Sequence, residues 1–198
     1  MMLSEVTPVP QAALPVAEFK DHLRLGTGFA DDGAQDALVA GYLRAALAAI
    51  EGRIGKALIA RDHVLELNQW RWPECQAFPV APVSAIVLVT VKDRGGEAEV
   101  IDPARYRLER DAQRPKIVAA GALLPGIPVG GSVEVLFTAG FGPSWSDVPD
   151  DLAQAVFLLA AQFHENRHEA GERLGMPFGV MALIERWRTV RVLGGGAA

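Results

Sequence analysis

Residues 85–101 read Ala85-Ile86-Val87-Leu88-Val89-Thr90-Val91, then Lys92-Asp93-Arg94-Gly95-Gly96, then Glu97-Ala98-Glu99-Val100-Ile101. The first run is apolar and β-branched, which suits a pleated strand. The Gly95-Gly96 pair suits a tight hairpin turn into the second run. Working outward, Asp102-Pro103 is a turn, and Tyr106-Arg107-Leu108 reads as another strand. Lys116 to Ala119 and Val133 to Phe137 add two more. Upstream, Val64-Leu65-Glu66-Leu67 begins a strand, while Pro73, Pro79 and Pro82 break the next stretch into loop. The spacing predicts a small, mostly antiparallel β region over about 60–141.

Beyond the β region the period changes from two to three and four. Val39, Leu43, Leu47, Ile50 and Ile54 form one apolar stripe of a long helix over 31–54, closed by Gly55. Asp31 and Asp32 supply its N-terminal capping chemistry. Alanines at 40, 45, 46, 48 and 49 keep that helix thin. A shorter helix over 16–25 precedes it, ended by Gly26 and Gly28. On the C-terminal side, Val148-Pro149-Asp150-Asp151 opens a helix over 149–169, since proline tolerates the first turn and the aspartates complement the helix dipole. That helix is apolar nearly all round up to Phe163 and stops at Gly171. After Pro177, Val180, Leu183, Ile184, Trp187 and Val190 make one face of a last amphipathic helix. The first residues, with Pro8, Pro10 and Pro15, read as an extended arm.

Strands that cluster instead of alternating with helices favour α+β over a doubly wound fold. The expected architecture is α+β, with terminal helices packed as a bundle and a small antiparallel β insertion between them. Residues 1–15 form the arm, 16–176 the main domain, and 177–198 a C-terminal helix and tail.

The 198 residues fit one domain with a sizeable insertion, and half are hydrophobic, enough for a real core. The net charge of −5 argues against a simple electrostatic DNA binder, which needs a basic patch to release counterions. Cys75 is the single cysteine, so no internal disulfide forms and a reducing cytoplasm suits the chain. The N-terminus shows no basic segment followed by an apolar one. The apolar run Leu152 to Phe163 is too short to span a bilayer. The expectation is an intracellular protein with no membrane partner.

His164-Glu165-Asn166-Arg167-His168 matches H-E-x-x-H, a spacing that places two histidines on one helix face for zinc, with the glutamate activating a water. A longer metal motif would need a third histidine where Leu174 stands. A helix leaving the core for solvent explains the same polar run, so His164 and His168 are expected to hold no metal. Gly26-Thr27-Gly28 lacks the third glycine of a dinucleotide site, and Gly142 to Ser146 lacks the second glycine of a nucleophile elbow. Helix capping accounts for Asp150 and Asp151. Trp70, Arg71 and Trp72 form an aromatic and cationic loop of the kind that anchors onto a core or packs on another protein. No catalytic residue and no cofactor is expected.

Four segments, in order, resemble the head–tail connector (adaptor) proteins of long-tailed phages and gene transfer agents. They are Phe19 to Leu25 with Asp31-Asp32 and the alanine-rich helix ending Gly55 to Ile59; Asp102-Pro103-Ala104-Arg105-Tyr106; Val135 to Gly142, continuing through Val148-Pro149 into Leu152 and on to Glu165-Asn166-Arg167; and Pro177-Phe178-Gly179-Val180 with Leu183-Ile184 and Trp187-Arg188. The resemblance covers nearly the whole chain.

The resemblance implies a non-catalytic subunit assembled in the bacterial cytoplasm into a homo-oligomeric ring, usually of twelve. That ring would dock on a portal protein at the head–tail junction of a virion or phage-like particle. It would receive a stopper or tail-completion protein on its other side and let double-stranded DNA pass through its centre. The C-terminal segment of such proteins tends to reach the portal, which maps here onto Phe178, Val180, Met181, Leu183, Ile184, Trp187, Arg188 and Arg191. Trp70, Arg71 and Trp72 are the expected ring-interface residues. A zinc-dependent hydrolase, or another ring protein of the same particle, are the alternative readings.

Overall fold

The computed structural model describes residues 1–23, 35–166 and 175–188. The chain is α+β. In order it forms β1 Met2–Glu5, α1 Val16–His22, α2 Asp36–Ile54, β2 Arg61–Leu67, β3 Cys75–Ala77 and β4 Val83–Lys92. Then follow β5 Ala98–Val100, β6 Tyr106–Glu109, β7 Lys116–Ala119, β8 Ser132–Ala139, α3 Asp150–Glu165 and α4 Phe178–Ile184. These elements fall into two compact units, Met1–Leu14 with Lys56–Val148, and Pro15–Gly55 with Pro149–Ala198.

The first unit holds the strands. A five-stranded antiparallel sheet runs β1-β2-β8-β4-β5, and a three-stranded one runs β3-β7-β6. β2 and β8 alternate strictly between buried and half-exposed residues, the signature of a sheet with one face on a core. Leu65, Val89, Val133, Val135 and Phe137 from the large sheet meet Tyr106, Ile117 and Ala119 from the small one in a single cluster. Phe78 seals it, its ring centroid 4.5 Å from that of Phe137. Truncating a fully buried Phe of this kind costs about 3–5 kcal/mol.

The hairpin read from Gly95-Gly96 joins β4 to β5, and Gly96 takes the left-handed φ of 90°. Asp93 closes the turn by accepting from the Glu97 N–H at 2.9 Å. Two register shifts interrupt β4, between Val83 and Ala85 and between Ile86 and Leu88. Lys56 is buried, and its ammonium donates to Ala112 O at 2.6 Å and Gln113 Oε1 at 2.9 Å, holding the β6–β7 connection. Burial lowers its pKa below the usual lysine value, while the Asp111 charge opposes that.

Two stretches depart from the sequence expectation. Met2–Glu5, read as part of an extended arm, is strand β1, with Met2 opposite Glu66 and Glu5 opposite His63. All four residues are exposed, so backbone pairing holds the strand and no apolar alternation marks it. Residues 75–77, read as loop among the prolines, form the short β3 because the Cys75–Ala77 backbone completes the small sheet.

In the second unit the stripe Val39, Leu43, Leu47, Ile50 and Ile54 of α2 is buried. Gly55 ends the helix with φ 70°, its N–H donating to Glu51 O at 2.8 Å. The Asp31 and Asp32 capping residues lie outside the described residues, and no side chain caps the described start at Gln35. α3 is in contact with α2 and with α4 and buries Leu152, Ala155, Val156, Leu159 and Ala160. Phe19 of α1 is fully buried, its ring centroid 5.5 Å from that of Phe157. Lys20 and Asp36 form an ion pair.

The last helix is shorter than its periodicity predicts. α4 ends at Ile184 and gives way to a 3-10 turn over Glu185–Trp187. Val190, expected on the same apolar face, lies outside the described residues.

Candidate functional site

The C-terminal segment is held to α3 by two kinds of contact. Val180 and Ile184 are fully buried, with α4 packed on α3. The 3-10 turn then brings two side chains onto one carboxylate. The Trp187 indole N–H donates to Asp151 Oδ2 at 2.7 Å, and the Arg186 Nε sits 2.7 Å from the same oxygen. The Arg186 guanidinium also stacks 4.9 Å over the Trp187 ring. Burial works to raise the Asp151 pKa, but the hydrogen bonds from Trp187 and Arg186, the Arg186 charge and the Leu152 N–H outweigh it, and the carboxyl is held below its ordinary value.

The sequence explained Asp151 by helix capping alone; the structure makes it the anchor of the last turn. The partners lie 35 and 36 positions from Asp151 in the chain, so spacing could not reveal the contact.

The expected portal-contacting residues therefore divide. Val180 and Ile184 are buried within the subunit, on the side where α4 packs against α3. Met181, Leu183 and Trp187 are half-buried. Arg188 pairs with Glu185 at 3.0 Å. Phe178 stands out at 88% exposed. Arg191 lies outside the described residues.

The Trp70–Trp72 loop divides too. Trp70 is half-buried against the β core, and its indole donates to Pro125 O at 2.7 Å. It lines a cleft of about 300 Å³ with Asn68, Gln69, Pro73, Leu123 and Leu124. Arg71 and Trp72 point away from that core, and Trp72 is 59% exposed. Trp70 thus anchors the loop, while Trp72 stays exposed.

The histidine motif gathers no metal ligands among the described residues. The His164 ring meets Tyr42 edge to face, with centroids 5.7 Å apart. His168 lies outside the described residues. Ser144 and Asp147, beside the rejected nucleophile elbow, cap a 3-10 turn reciprocally.

No family model matches the chain, and no curated protein does. Solved structures do. A chain from the neck of an empty GTA particle computed with C6 symmetry is 62% identical, with a TM-score of 0.89, over 98% of this chain and 99% of that one. A chain from the virion of a native gene transfer agent (GTA) particle is also 62% identical, with a TM-score of 0.87 over the same shares. A third, from the neck of a native GTA particle computed with C12 symmetry, is 57% identical with a TM-score of 0.85, again over 98% and 99%. The chain belongs to the head–tail connector family of phages and gene transfer agents. As a member of that family it is a structural neck component at the head–tail junction of a virion particle, and not an enzyme.

Proposed function

We propose that this connector is the adaptor subunit of the neck, twelve copies of which form a ring beneath the portal with a central channel for DNA. Near full-length identity to chains of GTA particles whose necks were computed with C6 and C12 symmetry is the observation that carries this reading. A ring of identical subunits uses heterologous contacts that close by rotation.

In the same proposal the terminal helices pack as a bundle, and the segment beginning at Phe178 reaches the portal. Phe178, with Met181 and Leu183 beside it, supplies the apolar contact, while Val180 and Ile184 hold the segment in shape. A stopper or tail-completion protein occupies the opposite side of the ring. DNA passes without being gripped, since an acidic chain repels phosphate weakly.

The test is co-sedimentation of the purified full chain with portal rings, followed by imaging. A twelvefold collar on the portal with an open centre is the expected result. A chain that stays monomeric beside saturating portal would overturn the proposal.

A further inference from the structure

We propose that the outward faces of the two sheets are the two halves of the contact between neighbouring copies of this chain. The inference rests on the ring reading above and says which surfaces close the ring.

Both sheets turn their inner faces to one core, so their outer faces look in opposite directions. That is the arrangement a head-to-tail ring needs, because each copy must offer two different, complementary patches.

On the five-stranded sheet, register places Met2, Glu66, Glu134 and Val100 in one outward row, and Val64, Leu136 and Leu88 in the next. Met2, Val100 and Leu88 are 57%, 60% and 37% exposed. Asp62 lies one row further along. The one outward lysine of this face, Lys92, is taken by Glu134 at 2.5 Å. The face is thus apolar with a surplus of carboxylates.

The three-stranded sheet has the opposite character. Arg107, Val118 and Cys75 share its outward row, and Trp72 bridges to Cys75 at its edge. Lys116 and Glu109 neutralise each other at 3.2 Å. Asp111 spends Oδ1 on the N–H groups of Gln113 and Arg114, both at 2.6 Å. Arg105, Arg107 and Arg114 are exposed and have no ion pair among the described residues. Residues 102–116 carry five cations against three carboxylates in a chain of net charge −5; one of the five, Arg110, donates to Ser84 O of β4 at 3.1 Å, which leaves Arg105, Arg107 and Arg114 as the unpaired ones among the described residues.

A basic face with an exposed Trp fits an apolar face with surplus carboxylates, and Trp and Arg are the residue types that dominate interface energies. Each face repels a copy of itself, which disfavours a twofold dimer and favours the heterologous contact. Duplex DNA would answer the arginines but neither the tryptophan nor the acidic apolar face.

The experiment compares Arg107→Glu, Glu66→Arg and the double variant in the full chain by sedimentation velocity, with circular dichroism on each. Either single variant is expected to raise the concentration for ring assembly by about ten-fold or more, as like-charge contacts do, and the double variant restores it. Single variants that assemble as the wild type does would overturn the proposal, as would losses that the double variant fails to rescue. Should Arg107→Glu misfold, Glu66→Arg alone is read, and normal rings from it refute the contact. A wild-type chain that forms no ring at all would fail the ring reading itself.

Discussion

Ile184→Ala and Phe178→Ala, six residues apart on one short segment, should have opposite phenotypes. Ile184 is fully buried where α4 meets α3, whereas Phe178 is 88% exposed. Removing three carbons from a sealed site loses their transfer free energy and leaves a cavity, a cost of about 2–5 kcal/mol. Removing the Phe178 ring from solvent costs the isolated subunit at most about 0.5 kcal/mol. Urea unfolding followed by circular dichroism reads both, with the midpoint of Ile184→Ala shifted far down and that of Phe178→Ala unmoved. Portal co-sedimentation then reverses the order. Phe178→Ala is expected to lose attachment by about 2 kcal/mol, as truncated anchor residues do, while its melting curve stays put. If Ile184→Ala melts like the wild type, α4 is not part of the subunit core and its packing on α3 has been misread. If Phe178→Ala attaches normally, the portal contact lies elsewhere.

Gly140→Ala should destabilise by about 3 kcal/mol or more, because φ is 138° and a Cβ would run into the backbone of Ile59 and Ala60; a melting temperature within a degree of wild type would contradict this. Asp151 contributes stability through a depressed carboxyl pKa, so that contribution is present above the unfolded value near pH 4 and fades as pH falls through the lower folded value. Asp151→Asn should remove this acid-side slope in urea midpoints measured between about pH 5 and pH 2. His164→Ala should leave assembly intact, and elemental analysis should find no stoichiometric zinc; one zinc per chain, lost in the variant, would refute that. The free chain should bind duplex DNA more weakly than about 10⁻⁴ M near physiological salt, and a salt-sensitive micromolar affinity would be the contrary outcome.

The strands were legible where the core imposes a period of two. β8 keeps its buried positions at Val133, Val135, Phe137 and Ala139, and the sequence shows that alternation directly. β1 was not legible, because its four residues are exposed and only backbone pairing holds them. The stripe of α2 was visible because the core imposes a spacing of three and four there, whereas α3 read as apolar nearly all round and showed no single face. The role of α4 was half visible: its apolar spacing signals a buried face, but spacing cannot say whose surface buries it. Asp151 shows the limit most plainly. Its neighbours in sequence suggest a cap, while its decisive partners, Trp187 and Arg186, stand 36 and 35 positions further along the chain.

The interleaving of the two units has a consequence on the ribosome. α2 is complete at Ile54, yet its partner α3 begins only at Asp150. At about 5–20 residues per second, the apolar stripe of α2 waits on the order of 5–20 s for that partner. Over the same interval β1 waits for β2, then β8 arrives, so the strand unit closes first, from a chain whose helices are still half made. A product truncated before α3 carries an exposed stripe of Val39, Leu43, Leu47 and Ile50, a natural target for chaperones and proteases. Synthesis order thus leaves the apolar stripe of α2 without its α3 partner until the whole strand unit has been made.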